Sequence, residues 1–323
     1  MVLYLTPLPP RSLHPLLGLL LVPTVGVAFS DVVADAHMIE TGQPRGITGL
    51  LQSVQWAATY AATIVAGLVG GYLSQHQRQD LGFLLCAGVT LVTLLLAILY
   101  VHEQPHQASR QSLRGALAEL WLVARSPTVL LVGSFLFLWN FNPFSTAVLQ
   151  QYMTHQMNLS QQFYGVTVSL IAAASIVASI CYGFYCRRVP FGFLVHASIV
   201  LGILSTIAYW ALAGSTSAVL VSLAVGFTYM TASLVQLDLA ARISPPQTAG
   251  TVFAMLMALS NLGLSLSASV SGRLYDYGTA LWGSWTSFNV LVGVGAIFTA
   301  GCWLLVPLLR RHCLANSTTK NAS

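Results

Sequence analysis

The sequence predicts an all-α fold, a polytopic bundle of about nine helices that cross a lipid bilayer. Of the 323 residues, 56% are hydrophobic and 7% are charged, and the mean hydropathy is +0.75. Soluble domains carry about 25% charged residues, so this chain cannot cover itself with a surface that faces water. Asp, Glu, Lys and Arg are also missing from two long stretches, residues 46–77 and 126–186. These observations exclude an ordinary soluble enzyme and indicate an integral membrane protein.

Charges, Pro and Gly clusters and polar breaks divide the chain into apolar segments long enough to span a bilayer, which takes about 20 helical residues. The segments are apolar throughout rather than alternating, which favours helices over a β-barrel. For the first segment, a cleaved signal peptide with its apolar core at 16–30 is the alternative. The predicted helices lie near residues 15–37, 47–74, 81–101, 127–149, 163–186, 190–212, 217–242, 249–274 and 283–308.

The positive charges predict the orientation of these helices. If the loop after the first helix is cytoplasmic and the sides then alternate, ten cations lie inside and three outside, as the positive-inside rule expects. The N-terminus is then outside and the C-terminus inside. The predicted inside cations are Arg45, Arg110, Arg114, Arg125, Arg187, Arg188, Arg242, Arg310, Arg311 and Lys320, and the outside cations are Arg11, Arg78 and Arg273.

Two segments about 200 residues apart resemble each other. Asp35 precedes a Pro-containing loop, a helix of small residues and the triplet at 71–73; Asp238 precedes a similar loop, a similar helix and the triplet at 272–274. Parallel repeats of this kind build one class of transporter folds. The repeat would place the partner of the helix at Pro127 upstream of the first residue, so we expect about three helices of the first half to be missing.

This repeat predicts the domain organisation. We expect residues 1–101 to be the remnant of an N-terminal half with three membrane helices. Residues 102–126 are the expected cytoplasmic linker, and residues 127–323 the expected C-terminal half with six membrane helices.

Several short motifs carry a resemblance to a known family. They are Phe29-Ser30-Asp31-Val32-Val33-Ala34-Asp35-Ala36 with Glu40, Leu51-Gln52-Ser53 with Trp56, Phe137-Leu138-Trp139-Asn140-Phe141-Asn142-Pro143-Phe144, the loop Tyr182–Pro190, and Ser260-Asn261-Leu262-Gly263. Together they resemble the folate–biopterin transporter family of the major facilitator superfamily, from its fourth to its eleventh helix. The match runs over nearly the whole chain, but the twelve helices of the family exceed the nine predicted here.

The resemblance implies uptake of folates or pteridines by alternating access, coupled to protons. It implies the inner membrane in a bacterium, or the plastid or plasma membrane in a eukaryote. Two alternatives stay open. One is a carrier of another small organic solute, because the fold does not fix the cargo. The other is a non-transporting fragment that assembles with a partner supplying the missing helices.

Asp31 and Asp35 are candidate proton or substrate sites. Their i, i+4 spacing places both carboxylates on one helix face. A carboxylate inside a span is costly and by default suggests a pathway or a proton relay. It can also accept hydrogen bonds from the amino edge of a pterin, as carboxylates do from the amino groups of bases. The alternative for Asp35 is an ion pair with Arg45 or another loop cation.

The predicted fourth helix carries Trp139, Asn140, Asn142 and Pro143 near its middle. Pro143 removes a backbone donor and should bend the helix. Asn side chains at this depth must bond to another helix or to a ligand, and a Trp face can stack on a flat heterocycle. Interhelical bonding is the equally weighted alternative. The same two interpretations apply to Gln52 and Asn261, for which interhelical bonding is favoured, and the family resemblance adds Trp56 to the candidates.

A cytoplasmic gate is predicted where charges lie close to one end of the bundle. Asp238 and Arg242 are spaced i, i+4 near the cytoplasmic end of their helix, and Arg187 and Arg188 lie on the same side. A charge latch between helices can hold one state of a transporter closed.

Metal and nucleic-acid chemistry are not expected. His102-Glu103-Gln104-Pro105-His106 matches a zinc-protease motif, but Pro105 lies inside the helical turn that the two His ligands require. Twelve of the thirteen cations are Arg scattered through loops, without a basic run. The sequence therefore predicts no metal, no cofactor, no enzymatic activity and no nucleic-acid partner; the expected partners are a small solute, protons and the bilayer.

Overall fold

The computed structural model describes residues 13–76, 78–100, 121–245 and 248–311. These residues are helical with short connections, and none of them forms a strand. The α-helices are α1 (Leu13–Gly42), α2 (Thr48–Gln75), α3 (Gln79–Tyr100), α4 (Pro127–Asn140), α5 (Thr146–Gln151), α6 (Gln161–Tyr185), α7 (Phe191–Ile207), α8 (Ser215–Ile243), α9 (Ala249–Trp282), α10 (Ser284–Gly301) and α11 (Val306–Leu309). A π-helix, Tyr152–Gln156, follows α5, and short 3₁₀ turns follow α7 and α10.

Within the described part of the chain, seven helices are long and apolar enough to cross a membrane. They are α1, α3, α6, α7, α8, α9 and the segment Ser284–Leu309, which comprises α10, the 3₁₀ turn after it and α11. The predicted second and fourth segments are helical as well, although α4 is shorter, with 14 residues. The prediction of an all-α, multi-pass membrane protein is therefore confirmed. The orientation of the helices stays a prediction.

The predicted helix at 127–149 differs from the structure, because the chain breaks it into α4 and α5. The residue before a proline avoids the helical region, and Pro143 has no N–H to continue the ladder. Asn142 stabilises the break: its Oδ1 accepts from the Phe144 N–H at 3.0 Å, and its Nδ2 donates to Thr206 Oγ1 at 3.1 Å. The Ser267 hydroxyl donates to the Asn142 carbonyl. The helix is interrupted rather than only bent.

The contacts divide the chain into two compact units. The first comprises Met1–Asp31 with Ala62–Glu119, and the second Val32–Ala61 with Leu120–Ser323. In the first unit, the apolar side chains of α3 are mostly exposed, as a surface that faces lipid would be. The predicted linker at 102–126 lies outside the described residues as far as residue 120, and so does the His102–His106 motif. The predicted domain division stays a prediction.

The second unit contains a continuous apolar core formed by α4, α6, α7, α8 and α9, together with Ile39. Phe135, Tyr182, Leu234 and Phe253 lie at its centre. Small residues let the helices approach closely, since a Cβ at position 226 of α8 would collide with the Ile171 carbonyl of α6. This packing fixes the helices that surround the candidate site.

Candidate functional site

A cavity of about 210 Å³ lies within the second unit. Its walls come from α2, α4, α8 and α9, so segments far apart in sequence meet there. The lining residues are Trp56, Tyr60, Leu136, Trp139, Asn140, Tyr229, Met230, Ser233, Gln236, Leu237, Met257, Ser260, Asn261 and Leu264.

Aromatic rings form two pairs at the cavity wall. The Trp139 and Tyr229 rings stack with centroids 5.4 Å apart and an interplanar angle of 30°. The Trp56 and Tyr60 rings lie 5.8 Å apart at 41°. Flat faces of this kind bind planar heterocycles well, because dispersion and quadrupole interactions both favour offset stacking.

Polar groups interrupt this aromatic wall. Asn140 is bonded within its own helix, since its Nδ2 donates to the Leu136 carbonyl at 2.9 Å. Gln236 is 3% exposed, and its Nε2 lacks a hydrogen-bond partner among the described residues. Ser260 and Asn261 add further donors and acceptors from α9. The cavity therefore combines an apolar wall with a few polar groups, the usual composition of a small-molecule site.

Four of the predicted site residues come together in this cavity, namely Trp56, Trp139, Asn140 and Asn261. Two others lie elsewhere in the same unit. Gln52 is buried against Met38, with its Nε2 3.9 Å from the Met38 sulfur. Asn142 stabilises the break between α4 and α5, which corresponds to the interhelical role weighed for it from the sequence.

The two acidic candidates of α1 have different surroundings. Asp35 is partly buried, and Gln55 Nε2 donates to its Oδ1 at 2.9 Å. Gln55 Oε1 is buried and accepts no hydrogen bond within the described chain. Asp31 is exposed and belongs to the first unit. Arg45, the cation weighed as a partner for Asp35, instead bonds the Thr41 carbonyl at 3.0 Å.

A second polar cluster surrounds Asp238, whose side chain is fully buried. Arg242 approaches it from the next turn of α8, with Nη2 at 2.8 Å and Nε at 2.9 Å from Oδ2. Thr48 at the start of α2 donates to Oδ1 at 2.5 Å, and the Tyr182 hydroxyl donates to Oδ2 at 3.3 Å. We call these four residues the Asp238 latch. It joins α2 to α6 and α8 by bonds to one carboxylate.

The loop before α2 reinforces this connection. Gln43 Nε2 donates to the carbonyls of Ala241 and Ser244, each at 2.6 Å. Arg187 and Arg188, predicted as gate residues, are exposed, and no ion pair to either is found in the part of the chain that the structure describes. The structure therefore brings Asp238 and Arg242 together and leaves the two loop arginines outside the latch.

Sequence reasoning missed several residues of both sites, among them Tyr60, Tyr229, Gln236 and Thr48. A signal was available on α2, where Thr48, Gln52, Trp56 and Tyr60 recur every four residues and so share one helix face. Nothing comparable marked Gln236, because a single amide in an apolar helix does not reveal the direction in which it points.

The fold and the cavity define a class: a multi-pass helical membrane protein with a cavity lined by aromatic and polar side chains. The chain belongs to the BT1 family, whose model matches residues 1–322. It is also similar to a curated "Folate-biopterin transporter" of Synechocystis sp., with 24% identity over 276 residues. That match covers 79% of this chain and 54% of the relative, so the chain spans about half the length of the relative. A family and a relative of this kind indicate a transporter.

Proposed function

We propose that this protein carries folate or a related pteridine across a membrane by alternating access. The observation that carries the proposal is the cavity, because two aromatic pairs and several amide groups surround a space suited to a flat, polar-edged heterocycle. The name of the Synechocystis relative supports the same substrate class. A carrier of another small organic solute is the alternative.

The Asp238 latch supports the alternating-access part of the proposal. Two of the four helices that line the cavity, α2 and α8, also supply latch residues. Along α2, Thr48 precedes Trp56 by two helical turns, about 12 Å. A rearrangement of the cavity around a bound solute is thereby connected to the cluster predicted to lie at the cytoplasmic end. We propose that the latch closes the cytoplasmic side in one state and breaks in the other.

Proton coupling is assigned in this proposal to the acidic residues of α1. Asp35 is partly buried, and its carboxylate accepts a hydrogen bond from the Gln55 amide. This position supports a role for Asp35 as a group that exchanges a proton with its surroundings. Asp31, one turn earlier on the same helix, is the second candidate. A proton taken up here would neutralise a charge that is costly inside the bilayer.

The test is uptake of radiolabelled pterin and folate into vesicles that contain the protein, with and without an inward proton gradient. Trp139→Ala removes a stacking face and should reduce uptake strongly. Trp285→Ala, on an exposed ring of α10, is the matched control and should leave uptake unchanged. Uptake that is indifferent to Trp139→Ala, or absent for every pteridine, would contradict the proposed substrate site.

Coupling is tested separately. Asp31→Asn and Asp35→Asn each remove a titratable group and keep its shape. The variant that lacks the proton-carrying carboxylate should lose gradient-driven accumulation of substrate and retain substrate exchange. Asp276→Asn, at an exposed position of α9, is the control. If both α1 variants still concentrate substrate with an unaltered pH dependence, the coupling site lies elsewhere.

A further inference from the structure

Among the described residues, Gln236, Trp139 and Ser233 of the cavity wall each have a buried polar atom without a hydrogen-bond partner, and Gln236 is the one that offers an amide donor. Its side chain lines the cavity and is 3% exposed, yet Nε2 donates to no acceptor among the described residues. It follows Tyr229 by two turns of α8 and Ser233 by one, and both of these residues line the same cavity. The amide therefore lies on the face of α8 that the cavity occupant would contact.

A buried N–H without an acceptor is destabilising, and membrane proteins cannot rely on surrounding solvent to satisfy it. The wall contains other polar residues, but within the described chain none of them accepts a hydrogen bond from Gln236 Nε2; they are Asn140, Ser233, Ser260 and Asn261. A ligand in the cavity can therefore supply the acceptor that Gln236 Nε2 lacks among the described residues.

We propose that Gln236 is a specificity-determining residue that selects heterocyclic lactams. Its Nε2 donates a hydrogen bond to the ring carbonyl oxygen of a ligand held beside the Trp139 and Tyr229 rings. This inference rests on the proposed function, since it assumes that a planar heterocycle occupies the cavity. A pterin presents such a carbonyl at its 4-position. In 2,4-diaminopteridine an amino group replaces it, so two donors would face each other.

The experiment measures equilibrium binding to the full chain purified in detergent, by dialysis against pterin or 2,4-diaminopteridine at a pH where both are neutral. Wild-type protein should bind pterin about tenfold more tightly than the diamino analogue, the ratio expected for one buried hydrogen bond. Gln236→Leu should lose this preference by weakening pterin binding alone. Gln236→Glu replaces the donor by an acceptor and should invert the preference.

Gln151→Leu is the matched control, because Gln151 is exposed at the end of α5 and lies away from the cavity lining. It should bind both ligands as the wild type does. A merely structural role for Gln236 predicts equal weakening of both ligands in the two Gln236 variants, which overturns the inference.

The remaining outcomes separate the inference from the proposed function. If wild-type protein binds neither ligand, both fail together. If it binds pterin but Gln236→Leu keeps the tenfold preference, the inference alone fails. A wild-type preference for the diamino analogue would also overturn it, because the buried amide would then be presenting its acceptor. Should Gln236→Leu fail to fold, the inversion expected for Gln236→Glu still decides the matter.

Discussion

Thr48 Oγ1 donates a hydrogen bond to Asp238 Oδ1 at 2.5 Å, although the two residues are 190 positions apart in the chain. Both side chains are buried, and a hydrogen bond to a charged, buried acceptor is among the stronger ones in proteins. The bond ties the first turn of α2 to a carboxylate that also binds Arg242 and Tyr182. The proposed gate depends on this contact.

Cys186 offers a native reporter for the latch. It lies just beyond the membrane segment Phe163–Tyr185 and is 2% exposed. Its Cβ lies 3.3 Å from where a Cβ at Gly49 would be. Burial, and secondly the nearby Asp238 carboxylate, raise the pKa of the Cys186 thiol above its usual value. Because the thiolate is the reactive form, maleimide should label Cys186 slowly at neutral pH while the latch is closed, and the labelling rate should rise as the pH rises.

Thr48→Val should accelerate maleimide labelling of Cys186 at neutral pH by about tenfold or more, because it removes a bond worth about 1.5–3 kcal/mol from the closed state. The measurement uses a variant in which the other cysteines are replaced by serine. Thr59→Val is the control, since the Thr59 hydroxyl bonds the Gln55 carbonyl of its own helix. Equal labelling rates in the Thr48 and Thr59 variants would show that the bond does not hold the latch closed.

A single variant and a compensating double variant test the Asp238–Arg242 pair. Arg242→Leu leaves the buried carboxylate without its cation, which costs about 3–5 kcal/mol for fully buried pairs. The Arg242 side chain is 40% exposed, so we expect about 2 kcal/mol after solvent screening.

The double variant Asp238→Asn with Arg242→Leu should recover part of this loss, because no unpaired charge remains buried. Thermal unfolding in detergent, followed by tryptophan fluorescence, measures both variants. A double variant that is less stable than Arg242→Leu alone would argue against charge burial as the reason.

Gly202 is predicted to be intolerant of a side chain. A Cβ there would lie 3.0 Å from Trp139 Nε1 and 3.0 Å from Thr299 Cγ2. Gly202→Ala should therefore displace the Trp139 ring, lower stability by about 1–3 kcal/mol and weaken pterin binding. Gly272→Ala is the control, because a Cβ there meets no atom of the described residues within 4 Å. It should be neutral or raise stability by up to about 1 kcal/mol, since alanine favours helix more than glycine does.

The orientation inferred from the charges can be tested by cysteine labelling in intact cells. His155 and Arg187 are both exposed, and the positive-inside rule places them on opposite sides. A membrane-impermeant maleimide added outside should modify His155→Cys and spare Arg187→Cys until the cells are permeabilised. Labelling of Arg187→Cys in intact cells would reverse the predicted topology.

Much of the architecture follows from local properties of the sequence. Long apolar segments must become helices in a bilayer, because their backbone groups have no other partners there. Boundaries were therefore predictable to within a few residues for α6, observed at Gln161–Tyr185 and expected at 163–186. Two helix ends differ more from the prediction: α9 runs to Trp282 where residue 274 was expected, and α4 ends at Asn140 because the chain breaks at Pro143 where a bend was expected. Asn142 replaces the lost helical bonds with bonds to the Phe144 N–H and Thr206, and this makes a full break stable.

Site residues were predicted on different grounds. Trp139 and Asn261 were unusual for their depth, Asp238 was paired with Arg242 by spacing, and Trp56 followed from the family resemblance. The structure places Trp56, Trp139 and Asn261 in the cavity and Asp238 in the latch. Arg187 and Arg188 were predicted to lie on the same side as Asp238 because of their charge and position, and the structure shows both exposed. Charge and side do not reveal whether an arginine folds back onto the bundle, and here only Arg242, one turn from Asp238, does so.

The sequence by itself determined the membrane class, the helical fold and the chemical types available to a site, because these depend on composition and on local periodicity. The tertiary structure decided which helix faces meet. Ordinary polar residues gained roles in this way: Thr48 became a partner of Asp238, and Gln236 became a buried donor in the cavity wall. The physical reason is that a hydrogen bond between helices depends on their relative rotation and translation, which packing of the whole core sets and no single segment encodes.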